Sequence, residues 1–217
     1  MIDFETVHKE AKLSLEALEN IYAYNDLPKS SFLNWSVNNM LKGALMRANA
    51  VDEYCIFGFP CKEAVIDLIR IINGKAVYDI GAGVGYLSYA LNKLSKGKLK
   101  ITAIDNFETK FGFKINDTLE SKKQWFPITK VDALTMIPDI KNSVIIINWP
   151  DYESDFAYNV AKECHPSNKL IYIGELGGCT ANKKFFDNFE LSPIPMQWYC
   201  WEGLHDAVYL VTKRYKK

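Results

Sequence analysis

This sequence predicts an α/β domain on a mostly parallel central sheet, and three observations carry the prediction. Short runs of branched apolar residues recur along the chain, each stopped by a polar or acidic residue. Stretches of helical spacing separate them. After the first run come three glycines at alternate positions, in Asp79-Ile80-Gly81-Ala82-Gly83-Val84-Gly85. Near-continuous apolar runs mark strands buried on both sheet faces, and their alternation with helices favours parallel pairing through right-handed crossovers.

Residues 1–58 precede the first run and read as a helical extension. Leu13, Leu15, Leu18, Ile21 and Tyr22 form an approximate apolar stripe, Pro28 interrupts it, and Phe32 to Ala50 give a second helical stretch. Such an extension either covers a sheet edge or closes over a ligand, and both readings stand at this point. The main domain is expected over 59–217. Gly58-Phe59-Pro60 ends the extension, Pro60 suits the first turn of a helix over Cys61 to Ile72, and Asn73-Gly74 closes it.

Ala76-Val77-Tyr78 is the first predicted strand, and Tyr86 to Leu91 resumes with helical spacing. Lys100 to Asp105, the segment Pro127 to Leu134, and Val144 to Asn148 follow as strands. Glu153 to Cys164 reads as a helix, Lys169 to Ile173 as a buried strand running into Gly174-Glu175-Leu176-Gly177-Gly178, and Ala181 to Asn188 as a short helix. Glu190 to Cys200 and Ala207 to Lys213 complete the chain as an antiparallel pair, joined through Glu202-Gly203-Leu204-His205-Asp206.

The glycine turn carries the chemistry. Glycine accepts positive φ, and its missing Cβ lets a ligand lie against the backbone. A pyrophosphate binder needs Gly-x-Gly-x-x-Gly, but counted from Gly81 the third position is Tyr86. Asp79, just before the turn, would repel a pyrophosphate and attract an ammonium or sulfonium group. The pattern therefore favours a cationic nucleoside over a dinucleotide. Asp105 closes the next run about 20 residues on, where doubly wound folds place the carboxylate that accepts from ribose hydroxyls.

On these residues the chain resembles the class I S-adenosylmethionine-dependent methyltransferases, whose first motif is an acidic residue followed by Gly-x-Gly-x-Gly. The resemblance implies a Rossmann-like, seven-stranded, mostly parallel sheet with an antiparallel C-terminal strand pair, and S-adenosylmethionine as cofactor. It places Asp79, Gly81, Ala82, Gly83 and Gly85 in the cofactor cradle and Asp105 at the ribose. Asp132 with Ala133 would meet the adenine, and Asn148, at the close of the fourth strand, would complete the cofactor-binding set.

Three further stretches resemble a little-characterised group of methyltransferase-like proteins: Trp149-Pro150-Asp151-Tyr152, Ile173-Gly174-Glu175-Leu176-Gly177-Gly178-Cys179-Thr180, and Gly203-Leu204-His205-Asp206. That group carries Trp-Pro-Pro-Tyr, Gly-Glu-x-x-Gly-Gly-Cys-Thr and a late His-Asp, and the likeness covers about residue 58 to the C-terminus. Asp151 stands where the group has its second proline.

Methyl transfer from a sulfonium requires alignment more than acid–base machinery, although a neutral nucleophile must still lose a proton. Asp151, Glu175 and His205, at predicted strand ends, are the candidate catalytic groups, with Tyr152 as hydroxyl or stacking partner. Trp149, Pro150 and Trp198 are candidates for the acceptor pocket. The aromatic set Trp149, Tyr152, Phe156, Trp198, Tyr199 and Trp201 favours a small-molecule acceptor. Base amino-methylation is the alternative, but its Asp/Asn-Pro-Pro-aromatic motif is out of register here whether aligned on Asn148 or on Tyr152. A cofactor-binding module without catalysis is a second alternative. A nicotinamide-dependent oxidoreductase, the third, is disfavoured by Asp79 and Tyr86.

Composition is compatible with this and adds exclusions. The 217 residues are 48% hydrophobic, and 26 basic residues balance 26 acidic ones, so no global field draws the protein to nucleic acid or anionic membrane. The basic side is nearly all lysine, which leaves few bidentate forks for phosphate or guanine. Five cysteines without a Cys-x-x-Cys pair predict neither a disulfide framework nor a metal site. A cytoplasmic, membrane-free protein is expected, since neither a bilayer-spanning run nor a signal peptide is legible.

Overall fold

The computed structural model describes residues 47–48, 50–52, 54–58, 60–108, 118–196, 198, 200 and 204–214, together with Lys29. The predicted stripe Leu13 to Tyr22, the break at Pro28, most of Phe32 to Ala50, and Tyr199, Trp201, Glu202 and Gly203 lie outside these residues.

Helix α1, Lys62–Ile72, buries Ala64, Val65, Leu68 and Ile72, one stripe of its surface. Cys61 is its N-cap and Asn73, at φ 50°, its left-handed C-cap, whose N–H donates to the Ile69 carbonyl. Pro60 thus precedes the cap instead of occupying the first turn. Strand β1 (Val77–Ile80) follows, then α2 (Tyr86–Leu94), β2 (Ile101–Asp105), β3 (Ile128–Lys130) and β4 (Val144–Asn148). Between β3 and β4 the chain makes only two 3-10 turns, Ala133–Thr135 and Ile137–Asp139.

Helix α3 spans Phe156–Glu163, shorter than the expected Glu153 to Cys164. Glu153 sits at φ 59° and its N–H donates to the Ala181 carbonyl, so the chain is still turning there. Strand β5 (Lys169–Gly174), helix α4 (Lys183–Asn188), β6 (Phe189–Pro193) and β7 (Ala207–Lys213) complete the described elements. The Asn182 side chain caps α4 by accepting from the Phe185 N–H. Strand β6 stops at Pro193, so Trp198 is not in the sheet as expected.

The sheet has seven strands in the order β3-β2-β1-β4-β5-β7-β6. Neighbours from β3 to β5 pair in parallel, and β7 runs antiparallel to both β5 and β6. This is the Rossmann-like arrangement with an antiparallel C-terminal pair that the sequence implies.

The period-2 alternation of the strands supplies two cores. Val77, Val144, Ile146, Ile171 and Ile173 pack with α1 and α2 on one face, while Ile80, Ile104, Ile145, Ile147 and Tyr172 pack with α3 and α4 on the other. Asp79 shares the face of Val77, which aims its carboxylate at α2. Among the described residues, no helix is long and apolar enough to cross a membrane, and no His, Cys, Asp and Glu group could hold a metal ion.

Candidate functional site

Strand order reverses between β1 and β4, and their C-terminal ends open into a cavity of about 320 Å³. A crevice at such a switch point is where doubly wound sheets bind ligands. Its wall includes Asp79, Gly81, Ala82, Gly83, Asp105, Asp132, Ala133, Asn148, Trp149, Pro150 and Asp151, which were singled out from the sequence.

The glycines of the turn do different work. Gly81, Gly83 and Gly85 all have positive φ, at 70°, 57° and 75°. A Cβ on Gly81 would lie 3.0 Å from the Phe156 ring, and one on Gly85 would lie 2.8 Å from Ile128 Cδ1 and 3.0 Å from Phe126 Cβ. One on Gly83 would meet nothing within 4 Å. Gly85 is not on the cavity wall; it packs against the β3 edge, on Ile128 and Phe126. Gly85→Ala should therefore lower stability by about 2–5 kcal/mol against about 1–2 kcal/mol for Gly83→Ala, as read by denaturant unfolding.

The turn's amides are directed inward. Gly81 and Ala82 N–H both donate to the Ile104 carbonyl, at 2.9 and 3.0 Å, and Gly85 N–H to the Ala82 carbonyl at 2.8 Å. Gly83 N–H donates to Asp105 Oδ2 at 2.8 Å. These four donors are occupied within the fold, so none of them is left to cradle a phosphate.

Carboxylates dominate the wall instead. Asp79 is 1% exposed; its Oδ2 accepts from Ser88 Oγ at 2.8 Å, while its buried Oδ1 has no hydrogen-bond partner among the described residues. Burial pushes this carboxyl up from 3.8 to about 6, the Ser88 hydroxyl opposing and the Asp105 charge reinforcing the rise. Asp105 Oδ1 accepts from Phe107 N–H at 2.7 Å, so both its oxygens hold backbone amides. Burial also raises the Asp105 carboxyl, against the lowering by those two amides. Asp132 is exposed and caps the turn Ala133–Thr135, its Oδ1 accepting from Leu134 N–H at 2.9 Å. Each oxygen keeps a second lone pair for a ligand hydroxyl or amine.

The segment after β4 is braced. Trp149 N–H donates to the Ile173 carbonyl at 2.9 Å, and the Pro150 carbonyl accepts from Ala181 N–H at 3.2 Å. Trp149 itself sits at φ 51°, a left-handed conformation that bulky residues rarely adopt. Its Nε1–H donates to Asp206 Oδ2 at 2.8 Å, its ring stacks on Phe57 at 5.9 Å, and the Arg47 guanidinium lies 5.6 Å from the ring centroid. Asp206 is 6% exposed, and its Oδ1 has no hydrogen-bond partner among the described residues. Burial pushes its carboxyl up to about 6, opposed by the Trp149 bond.

Sequence reasoning missed Asp206 as a working group and missed Phe57, which lines the cavity with Cys55, Ile56 and Gly58. Residues 55–58, at the described end of the extension, border the cleft. Besides Gly85, four expected site residues lie elsewhere. Tyr152 is 61% exposed and lines a second groove with Leu176 and Phe186. Trp198 is buried in the core layer of Ile173 and Val208. The His205 side chain is 89% exposed. Glu175 is buried, and its two oxygens accept from Cys179 and His205 N–H, each at 2.8 Å. These last two residues brace the neighbouring loops and do not line the cleft.

Neither a protein-family model nor a curated protein matches this chain. Among solved structures it is similar to TrmN from Thermus thermophilus, at 16% identity over 70% of this chain and 48% of that one, with TM-score 0.41. It is also similar to a mutant of MtNAS in complex with S-adenosylmethionine, at 13% identity over 83% and 70%, TM-score 0.46. The mitomycin 7-O-methyltransferase MmcR matches at 14% identity over 70% and 54%, TM-score 0.43. The chain spans about half the length of TrmN and of MmcR. At these identities the likeness is one of fold.

Proposed function

We propose that the cleft binds S-adenosylmethionine and that the protein is a methyltransferase acting on a small-molecule acceptor. The observation that carries this reading is Asp79, a cavity-wall residue with a buried carboxylate oxygen that accepts no bond among the described residues. Such an oxygen is costly to leave unmatched, and a ligand ammonium or sulfonium would match it. The occupied amides of the glycine turn support the same choice against a pyrophosphate. Asp79 would hold the cationic end of the cofactor, Asp105 its ribose, and Asp132 with Ala133 its adenine. When bound, S-adenosylmethionine supplies a methyl group whose bonding pair returns to sulfur as the acceptor's lone pair forms the new bond.

Base amino-methylation finds less support. Tyr152, the stacking residue that reading needs, is not on the cavity wall. The carboxylates on that wall would also repel a phosphate backbone. Calorimetry provides the test. S-adenosylmethionine and S-adenosylhomocysteine should both bind, with no heat from NADH. Silence from both nucleosides at high micromolar concentration, or tighter binding of NADH, would overturn the proposal.

A further inference from the structure

The second groove, a cavity of about 470 Å³, lies between the loop after β5, helix α4 and the strand β6, and shares no wall residue with the cleft. Ala181, Phe186, Phe189 and Leu191 give it an apolar wall, on which Tyr152 and Leu176 stand 61% and 53% exposed. Among the described residues only one other large apolar side chain, Ile66, is as open to water. Exposed apolar surface gathered in one concavity marks a binding site. The wall is held in place by its backbone. Ala181 N–H donates to the Pro150 carbonyl and its own carbonyl accepts from Glu153 N–H at 3.0 Å, while Glu175 ties down the Cys179 amide.

Charge narrows the choice of ligand. The wall of the cleft carries five carboxylates, Asp79, Asp105, Glu108, Asp132 and Asp151, and no Lys, Arg or His among the described residues. The groove has the opposite sign: its charged residues are Lys183 and Arg214, with no Asp or Glu among the described residues. In a chain of zero net charge, the two concavities therefore select ligands of opposite charge. Lys183 Nζ lies 2.7 Å from Asp187 Oδ2, but that pair is exposed and is exchanged for another anion at small cost. The Arg214 guanidinium is exposed and has no hydrogen-bond or ion-pair partner among the described residues. A planar fork open in this way suits a carboxylate, which it can hold through two parallel bonds.

The edge of the sheet beside the groove is poorly suited to an added peptide strand. Ile194 N–H donates to the Val208 carbonyl and Arg214 N–H to that of Asn188, so Glu190 and Ser192 face β7 and Phe189, Leu191 and Pro193 present their backbone outward. Pro193 has no N–H, and that of Phe189 returns to the Phe185 carbonyl. Leu191 is then the one donor that β6 can offer, and a single donor does not make a ladder.

We propose that this groove binds a free, small amphipathic carboxylate. Its aromatic or alkyl body lies on Phe186, Leu191, Leu176 and Tyr152, and its anionic end on Arg214, with Lys183 adding to the attraction. This second site does not depend on what the cleft binds.

The test titrates the full-length protein calorimetrically with indole-3-propionate, with octanoate and with the uncharged amide of each, in the absence and presence of saturating S-adenosylhomocysteine. At least one carboxylate should bind, equally in both conditions, and its amide should bind at least about threefold more weakly. Arg214→Gln should weaken the carboxylate about threefold to fivefold, and adding Lys183→Gln should bring the loss to about tenfold. Leu176→Asp, which removes apolar contact and puts an acid on the wall, should abolish binding. These three residues are exposed, so thermal unfolding should be unchanged in every variant.

Silence of both carboxylates at millimolar concentration, equal binding of the amide, or affinity indifferent to Leu176→Asp would overturn the proposal. So would competition by S-adenosylhomocysteine, which would move the carboxylate to the cleft. An acetylated tetrapeptide of alternating phenylalanine and glutamate that binds where the free carboxylates do not would give the groove to a protein segment instead. A dimer in sedimentation velocity that Leu176→Asp disperses would give it to a second copy of this chain, and either result overturns the assignment.

Discussion

Asp79→Asn is expected to weaken S-adenosylmethionine binding by about 100-fold while making the ligand-free protein more stable, not less. Both effects come from the same atom. Asparagine keeps an acceptor for Ser88 Oγ, so the buried bond at 2.8 Å survives, but the charge facing the cavity is gone. Losing a charge-assisted bond to a cation costs about 1.5–3 kcal/mol, which is on the order of 10- to 150-fold in affinity. The stability gain has an upper bound set by the carboxyl itself. Moving it from 3.8 to about 6 corresponds to roughly 3 kcal/mol by which folding disfavours the ionised form at neutral pH. Denaturant unfolding of the ligand-free proteins and calorimetry of the complexes read the two halves separately.

The sign of the pH dependence follows from the same group. Between 3.8 and about 6 the folded protein binds more protons at Asp79 than the unfolded chain does, so ligand-free stability falls as pH rises through that window. A cationic ligand selects the ionised form. Affinity for S-adenosylmethionine should accordingly be full above about pH 6 and decline below it, and the decline should vanish in Asp79→Asn. Cofactor affinity independent of both pH and Asp79 would remove the electrostatic basis for the proposed function. A stable variant that binds poorly would show a binding site maintained at the expense of the fold.

Local chemistry made the glycine-turn half of the cleft legible. A turn with three positive-φ glycines can be read from its own residues, and Asp79 and Asp105 could be placed because acids closing apolar runs fall at strand ends. The other half depends on residues distant in sequence. Asp206 holds Trp149 across 57 positions, and Phe57 reaches the same ring from the N-terminal side. Hydropathy cannot tell a buried aromatic from a cleft aromatic, which is why Trp198 went to the core and Tyr152 to the surface. In the Gly-Glu-x-x-Gly-Gly-Cys-Thr and His-Asp stretches the residue types suggested side-chain chemistry. What Glu175 uses is the backbone of Cys179 and His205.

That bracing can be tested, with an effect of similar size on stability. Glu175 is 6% exposed, and its oxygens receive two amides from segments 30 and 4 residues away, tying the loop after β5 to the approach of β7. Gly178 has no side chain because a Cβ there would fall within 2.2 Å of Glu175 Oε2. Burial alone would raise this carboxyl, but the Cys179 and His205 amides prevail and hold it below its usual range. Its contribution to stability is therefore present above the ordinary glutamate range and lost as pH falls through the depressed value. Glu175→Ala takes the charged acceptor from two part-buried amides and should cost about 3–5 kcal/mol. Glu175→Gln keeps one acceptor and should cost less. His205→Ala should be nearly neutral, since its backbone N–H persists, whereas His205→Pro removes the donor and should approach part of the Glu175→Ala loss. Thermal unfolding of the four variants orders them. A large loss from His205→Ala, or none from Glu175→Ala, would return these two residues to catalysis and deprive the β5 loop of the strut assigned to it.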